Sequence, residues 1–340
     1  MTQAAGLLAR RSGSLMALLL MALAGAICLL FALHIAVGAK PLPLGTVIEA
    51  LLARDPKAFD HSIIWDLRLP RALIAITVGA ALAVSGALMQ GVTRNPLADP
   101  GLLGLMAGAS FAVVMTSLVF GPAMTNWAPW IAALGAFVTA LAVYAVAHWT
   151  PGGPTPLTLT LTGAVISAFL AALVSIVHLL NEDSFDNLRV WLSGSLSGRS
   201  LETLGVTAPP IIVALLLGLA LAPRVTALAM GDDVAKGLGI KTGQLKLQLL
   251  VVVVVLTSSA VALAGPLGFV GLVIPHVARL LVGSDYRWIV PFSALIGAAF
   301  LLGTDTLARI AIPPREISTG IITAMVGAPV FIQLVRMRAR

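Results

Sequence analysis

Apolar runs recur along the whole chain, most of them about 18 to 24 residues long, the length at which an α-helix crosses a hydrocarbon core. Ten such spans are read at 15–37, 72–92, 103–120, 130–149, 157–180, 205–222, 245–264, 269–282, 289–306 and 317–335. No soluble domain and no strand-rich segment stand between them, so the expected fold is all-α and polytopic. Composition agrees: of 340 residues, 59% are hydrophobic and only 10% are charged, with a mean hydropathy of +1.02. The single cysteine, Cys28, lies in the first run, so an internal disulfide is impossible. That run follows Arg10 and Arg11 like a signal peptide, but it is too long and too many spans follow it.

An even number of spans puts both ends on one side. Arg10 and Arg11 before the first span, and Arg336, Arg338 and Arg340 after the last, name that side the cytoplasm. The division is then a cytoplasmic N-terminus at 1–14 and a transmembrane domain at 15–340 in a bacterial inner membrane, with the polar stretch 223–243 inside. The net charge of +7 comes from short loops and the tail, so it orients spans and is no nucleic-acid signature. Lys40, Arg54, Lys57, Arg68, Arg71, Arg189 and Arg199 fall outside by this count and need another explanation. The outer stretch 181–203 has the makings of a short interfacial helix anchored by Trp191.

The stretch 223–243 is the longest polar interruption in the second half. Its apolar residues Val225, Leu228, Met230, Val234 and Leu238 recur at helical spacing, and Gly231 breaks the run. The pattern predicts two short amphipathic helices at the membrane surface. Asp232 caps the second, with Lys236 four residues on, and Gly239 ends it in the left-handed conformation. Either this element touches something outside the bilayer or it is a solvated loop.

The eighth span is short and carries Pro275, His276 and Arg279, which is tolerable at membrane depth only under cover of protein or a water cavity. It belongs inside the bundle. Small residues repeat at i+4 spacing in the second span (Gly79, Ala83, Ala87, Gly91) and the third (Gly104, Gly108, Ala112), a pattern that lets helix backbones approach. The motifs of zinc proteases, dithiols and serine hydrolases are absent from the sequence. Gly237–Thr242 lacks phosphate-loop spacing, because Ile240 separates Gly239 from Lys241. Asp305 is the exceptional intramembrane acid, and Arg309 one turn on offers an intrahelical ion pair.

Five stretches are more particular than a generic span: RLPRAL at 68–73, GALMQGVTRNPLADPGLLG at 86–104, ALAMGDDVAKGLG at 227–239, GPLGFVGLVIPHVAR at 265–279 and VGAPVF at 326–331. Together they resemble the iron–siderophore, haem and cobalamin permease family, the membrane subunits of type II ATP-binding-cassette importers. The likeness runs from about residue 15 to the end. It implies about ten spans, a second permease copy (homodimer or close heterodimer), a separate ATPase that binds ATP and magnesium, and a periplasmic or lipid-anchored binding protein. No cofactor and no catalytic residue are implied in this chain. The cargo implied is an iron chelate, a ferric siderophore first, with haem or cobalamin as the alternative. An ion-coupled secondary transporter or a membrane-embedded enzyme is the rival class, and sparse buried acids argue against both.

The resemblance also assigns roles. Arg68, Arg71 and Arg309 match positions that meet acidic groups of the binding protein; the alternatives are interfacial anchors for the first two and pairing with Asp305 for Arg309. Asn95 and Leu97 match the inner gate, or form a plain tight turn. Val225, Leu228, Met230, Gly231, Asp232, Val234, Leu238 and Gly239 match the segment that couples to the ATPase. Two departures stand out: Ser318 where the family usually has proline, and Tyr286 where it often has histidine.

Overall fold

The computed structural model describes residues 13–38, 40–121, 127–151, 153, 155–180 and 190–339. The expected segment 1–14 therefore lies almost wholly outside the described residues, as do Arg189 and most of the proposed interfacial helix. Each of the ten spans is a helix: α1 Gly13–Ala36, α3 Leu69–Thr93, α4 Leu105–Phe120, α5 Ala128–Trp149, α6 Pro156–Leu180, α7 Leu201–Ala229, α9 Thr242–Ala264, α10 Val270–Val282, α11 Tyr286–Ile310 and α12 Thr319–Ala339. Among the shorter helices that join them are α2 Leu44–Leu52 and α8 Asp232–Gly237. Seven of the apolar helices are long enough to cross a membrane, and α4, α10 and α12 are shorter.

The centre of the bundle is α3, which packs against α7, α9, α10 and α11. It is buried on nearly every side, as an all-round apolar helix must be. Its small residues make that possible. A Cβ on Gly79 would meet the carbonyl oxygen of Gly297 on α11 at 2.3 Å, and one on Gly86 would meet that of Gly271 on α10 at 1.9 Å. The stripe is a packing device: two backbones touch where side chains would hold them apart. The short α10 is interior, with Val273, Ile274, Pro275 and His276 buried. Its Arg279 donates to Gln90 Oε1, and Gln90 Nε2 in turn donates to the Gly271 and Leu272 carbonyls at 3.3 Å each. Spans α1 and α6, by contrast, have few fully buried residues and lie at the edge of the bundle.

Three details differ from expectation. First, α7 runs on to Ala229, so the first of the two short helices is the end of the sixth span. Burial of Val225 and Leu228 draws these extra turns into the bundle despite Arg224. Second, α3 has no free start. A short helix Phe59–Ser62 and a π-turn Ile63–Arg68 lead straight into it. The wide turn sits just upstream of Pro70, whose ring cannot accommodate a normal turn's carbonyl behind it. Arg68 and Arg71 are thus inside a continuous helical path. Third, Trp191 is 6% exposed and its carbonyl lies against Gly265, so it is packed in the bundle and anchors nothing at an interface. The exposed tryptophans are Trp127 and Trp130 at one end of α5 and Trp149 at the other, an aromatic belt on a single helix.

Candidate functional site

One end of the bundle gathers the loops around residues 37–68, 190–200 and 311–318. Here Asp305 on α11 is fully buried and surrounded by donors. Arg71 grips it with both Nε (2.7 Å) and Nη2 (3.0 Å), the planar fork matching the carboxylate. Thr319 Oγ1 donates to it at 2.6 Å, and His34 Nε2 lies 2.8 Å away. His34 therefore carries its proton on Nε2 and turns Nδ1 toward Arg309 Nη1, 3.4 Å away. Arg71 Nη1 reaches on to Glu316 at 2.6 Å. Asp305 thus joins α1, α3, α11 and α12 at one point.

The expected Asp305–Arg309 pair within α11 is corrected by this geometry. Asp305 pairs with Arg71 and His34, and Arg309 donates to the His34 carbonyl at 2.9 Å. Arg68 donates to the carbonyls of Ile35 (2.6 Å) and Ala36 (2.9 Å), and to that of Lys40. These carbonyls sit at or just past the C-terminus of α1, where four helix acceptors lack intrahelical partners and positive charge is favoured. Arg68 and Arg309 are caps for a neighbouring helix. They are 4% exposed, and Arg71 is 7% exposed. What they show to solvent faces a cleft of about 460 Å³, lined also by Lys40, Arg199 and Glu316. Two more basic residues of this end are paired: Lys40 with Asp60, and Arg54 with Asp66 at 3.2 Å. Internal acids thus answer much of the charge that the sequence left unexplained.

The opposite end holds the elbow between α7 and α9. Gly231 takes φ 131 and starts α8, and Gly239 takes φ 79 after it, so the glycines break and end the helix as their positions predict. Asp232 opens α8 without capping it. Its carboxylate instead bonds Lys246 on α9 at 2.7 Å and faces Arg94, the last residue of the second span's turn, at 3.7 Å. Lys246 holds the Asp232 carboxyl below the usual carboxylate range. The partner expected four residues on, Lys236, lies nearest Asp233 at 3.9 Å. Val225 and Leu228 are fully buried, whereas Met230, Val234 and Leu238 are exposed. The segment is one root in the bundle and one bare apolar tip.

Arg94 leads into the 95–103 turn. Asn95 Oδ1 accepts from the Leu97 N–H at 2.9 Å, a side-chain-closed turn, and Leu97 points out half-exposed. Asp99 Oδ1 accepts from Gly101 N–H at 2.7 Å, and its other oxygen lies beside Gly271. Although the residue keeps part of its surface, burial pushes its carboxyl up to about 6, only partly offset by the Gly101 bond. A cavity of about 270 Å³ lies at the same end, lined by Met89, Thr93, Tyr144, Leu159, Thr242 and Lys246. Among the described residues, no group of three or more His, Cys, Asp or Glu could hold a metal.

The profile of the FecCD transport family matches residues 14–337. The chain belongs to the FecCD transport family. FecCD chains are permeases, the membrane subunits of importers, and not catalysts. This FecCD chain is 42% identical to the ferric enterobactin transport system permease protein FepD of Escherichia coli (strain K12), over 97% of this chain and 99% of that one. It is 39% identical to the hemin transport system permease protein HmuU of Yersinia pestis, over 80% and 83%. A solved inward-facing structure of a metal-chelate type ABC transporter superposes with a TM-score of 0.83 at 30% identity, covering 94% of this chain and 99% of that one. The FecCD motifs lead to both ends of the bundle, but His34, Glu316, Arg94 and Lys246 lie outside what sequence reasoning found. His34, Glu316 and Arg94 each act on a residue far away in sequence, and Lys246 acts across the α8 turn on Asp232, so no local pattern marks these pairs.

Proposed function

We propose that this permease carries an iron chelate, a ferric siderophore, into the cytoplasm, driven by a separate ATPase and supplied by a binding protein. Both termini and the α8 elbow face the cytoplasm, and the Asp305 cluster faces outward. The observation that carries the reading is the elbow: Met230 and Leu238, flanking α8, stand 68% and 67% exposed beside the buried root of Val225 and Leu228. Burial in a partner's groove is worth about 1.5–3 kcal/mol per large side chain, less the cost of association. The relatives named for ferric enterobactin and hemin transport support the cargo class, and haem is the second reading because of the hemin permease.

In this account the ATPase dimer closes on ATP and moves α8. The Asp232 contacts with Lys246 and Arg94 pass that movement to α9 and to the turn of Asn95 and Leu97, which narrows the inner mouth. Outside, the basic cleft bearing Arg68, Arg71 and Arg309 meets acidic groups of the binding protein. Such charges set docking register and encounter rate more than affinity. A second permease copy covers the outward face of α6, a helix with few fully buried residues in the single chain. The test is reconstitution of the chain with its ATPase and binding protein in proteoliposomes. Uptake of an iron-55 siderophore that needs ATP, with unlabelled haem failing to compete, is the expected result. Uptake that survives without ATP and collapses with an uncoupler would overturn it.

A further inference from the structure

The cavity of about 270 Å³ near the elbow is unused by the mechanism above. It opens between α3, α5, α6 and α9. Met89, Leu159 and Leu250 give it an apolar wall, and Thr242, Lys246 and Tyr144 give it a polar one. Leu247 at its edge is 50% exposed, so the cavity is open on one side.

The polar wall has donors to spare. Lys241 precedes α9 and gives it no side-chain cap, so the first N–H groups of that 23-residue helix lack a side-chain acceptor. Thr242 is only 9% exposed, and among the described residues its hydroxyl makes no hydrogen bond. Lys246 spends one N–H on Asp232 at 2.7 Å and has two more. The Tyr144 ring is stacked against His148, with centroids 6.3 Å apart, and among the described residues its phenol makes no hydrogen bond. Positive charge is in surplus here. Arg94 follows the lining residue Thr93 and Lys241 precedes Thr242, while Arg94 and Lys246 share the single carboxylate of Asp232.

An uncapped helix start, a buried hydroxyl and a lysine together hold a phosphate well. The apolar wall says what the phosphate is attached to. A free ion would leave Met89, Leu159 and Leu250 uncovered, whereas an acyl chain would take their surface out of water. Basic pockets between membrane helices on the cytoplasmic side take lipid head groups in this way, and surplus positive charge selects a head group of net negative charge. We propose that this cavity binds an anionic phospholipid, with the phosphate at the start of α9 beside Thr242 and Lys246 and an acyl chain against Met89, Leu159 and Leu250. A transported chelate fits less well, because the cavity is smaller than the roughly 300–1,000 Å³ of sites that enclose a drug-sized ligand. The inference rests on the reading that puts this end at the cytoplasmic leaflet. It has a consequence for that reading: the phosphate sits beside the Asp232–Lys246 contact, so lipid composition acts on the link between elbow and bundle.

The test uses the full transporter, permease with ATPase, in phosphatidylcholine nanodiscs doped with a phosphatidylglycerol that carries a diazirine on its acyl chain. Light should attach this lipid to peptides carrying Leu159 or Leu250, and the matching diazirine phosphatidylcholine should label them about tenfold less. Thr242→Val, which replaces the hydroxyl with a methyl group, should lower the labelling severalfold. Leu250→Trp, which fills the cavity, should abolish it. Inorganic phosphate should not compete. Equal labelling by the two lipids, or undiminished labelling of both variants, would overturn the inference. Labelling that inorganic phosphate abolishes would overturn it in favour of a free-anion site, and labelling that an iron chelate displaces would overturn it in favour of the transport route. Nanodiscs present both leaflets, so the label reports the cavity whichever way the chain is oriented; failed ATP-driven uptake would remove the parent reading alone.

Discussion

At one end of the bundle, proposed to face outward, Asp305 is enclosed by Arg71, His34 and Thr319 with none of its surface in contact with solvent. At the other, proposed to face the cytoplasm, Met230 and Leu238 stand two-thirds exposed. Both regions carry family motifs, and both are read as interfaces, yet their physics is opposite. The outer arginines are satisfied by their own chain, so they are rigid and cost little to organise at an encounter. The elbow is incomplete: its apolar tip gains its stabilising burial only against a partner. The difference implies that outer-end substitutions act first on folding and elbow-tip substitutions act first on transport.

The largest test of that contrast is Asp305→Ala. It leaves the buried Arg71 with only the part-exposed Glu316 and leaves His34 without its acceptor, and the expected loss of stability is about 3–5 kcal/mol. Thermal unfolding of the purified permease measures it; a loss under about 1 kcal/mol, the level of an exposed pair, would erase the difference between the ends. Next comes a pair within the elbow itself. Leu228→Ala at the fully buried root should cost about 2–5 kcal/mol. Leu238→Glu at the tip should leave stability within about 0.5 kcal/mol while abolishing ATP-driven uptake at normal membrane levels. Uptake by Leu238→Glu at the wild-type rate would break the assignment of the tip to the ATPase.

A smaller effect is expected at Asp99. Its carboxyl titrates higher in the folded chain than in the unfolded one, so the unfolded chain binds fewer protons between about pH 4 and pH 6 and stability falls as pH rises through that window. Asp99→Asn should remove this dependence, gaining about 1–3 kcal/mol above pH 6 and nothing near pH 4 in paired unfolding curves. A parallel offset at all pH values would mean that packing, and not the charge, sets the difference. The smallest effect is at Asp232, whose carboxyl is depressed by Lys246. Its contribution is present above about pH 4, the unfolded value, and is lost as pH falls through the lower folded value. The pair is partly exposed, so Asp232→Asn should cost about 0–1 kcal/mol, less in high salt, while slowing transport. A stability loss comparable to that of Asp305→Ala would make the elbow as self-contained as the outer cluster.

Particular residues show how much of this was legible. The glycines at 79 and 108 announced close helix contacts, but their partners Gly297 and Gly135 lie on other spans and could not be named from spacing, and the contact of Gly86 with Gly271 lay outside the stripe that was read. Asp305 and Arg309 sit one helical turn apart, which suggests a local pair; the actual partners of Asp305 are Arg71 and His34, more than 200 residues away in the chain. A distant bidentate arginine gives better geometry than a neighbour on the same helix can. Gly231 and Gly239 were readable as breaks because their positive φ is a local property. The division of the elbow into a buried root and an exposed tip was not, because all five apolar residues share one periodicity.

By itself the sequence determined ten apolar helices, the break at Gly231, the interior place of the eighth span and the family, since span length, backbone conformation and motif identity are written within short stretches of chain. Only the tertiary structure decided which charges are spent inside the bundle and which remain available. Hydrogen-bond partners are chosen by proximity in space, and in a packed bundle that proximity joins residues whose positions in the chain carry no mark of each other.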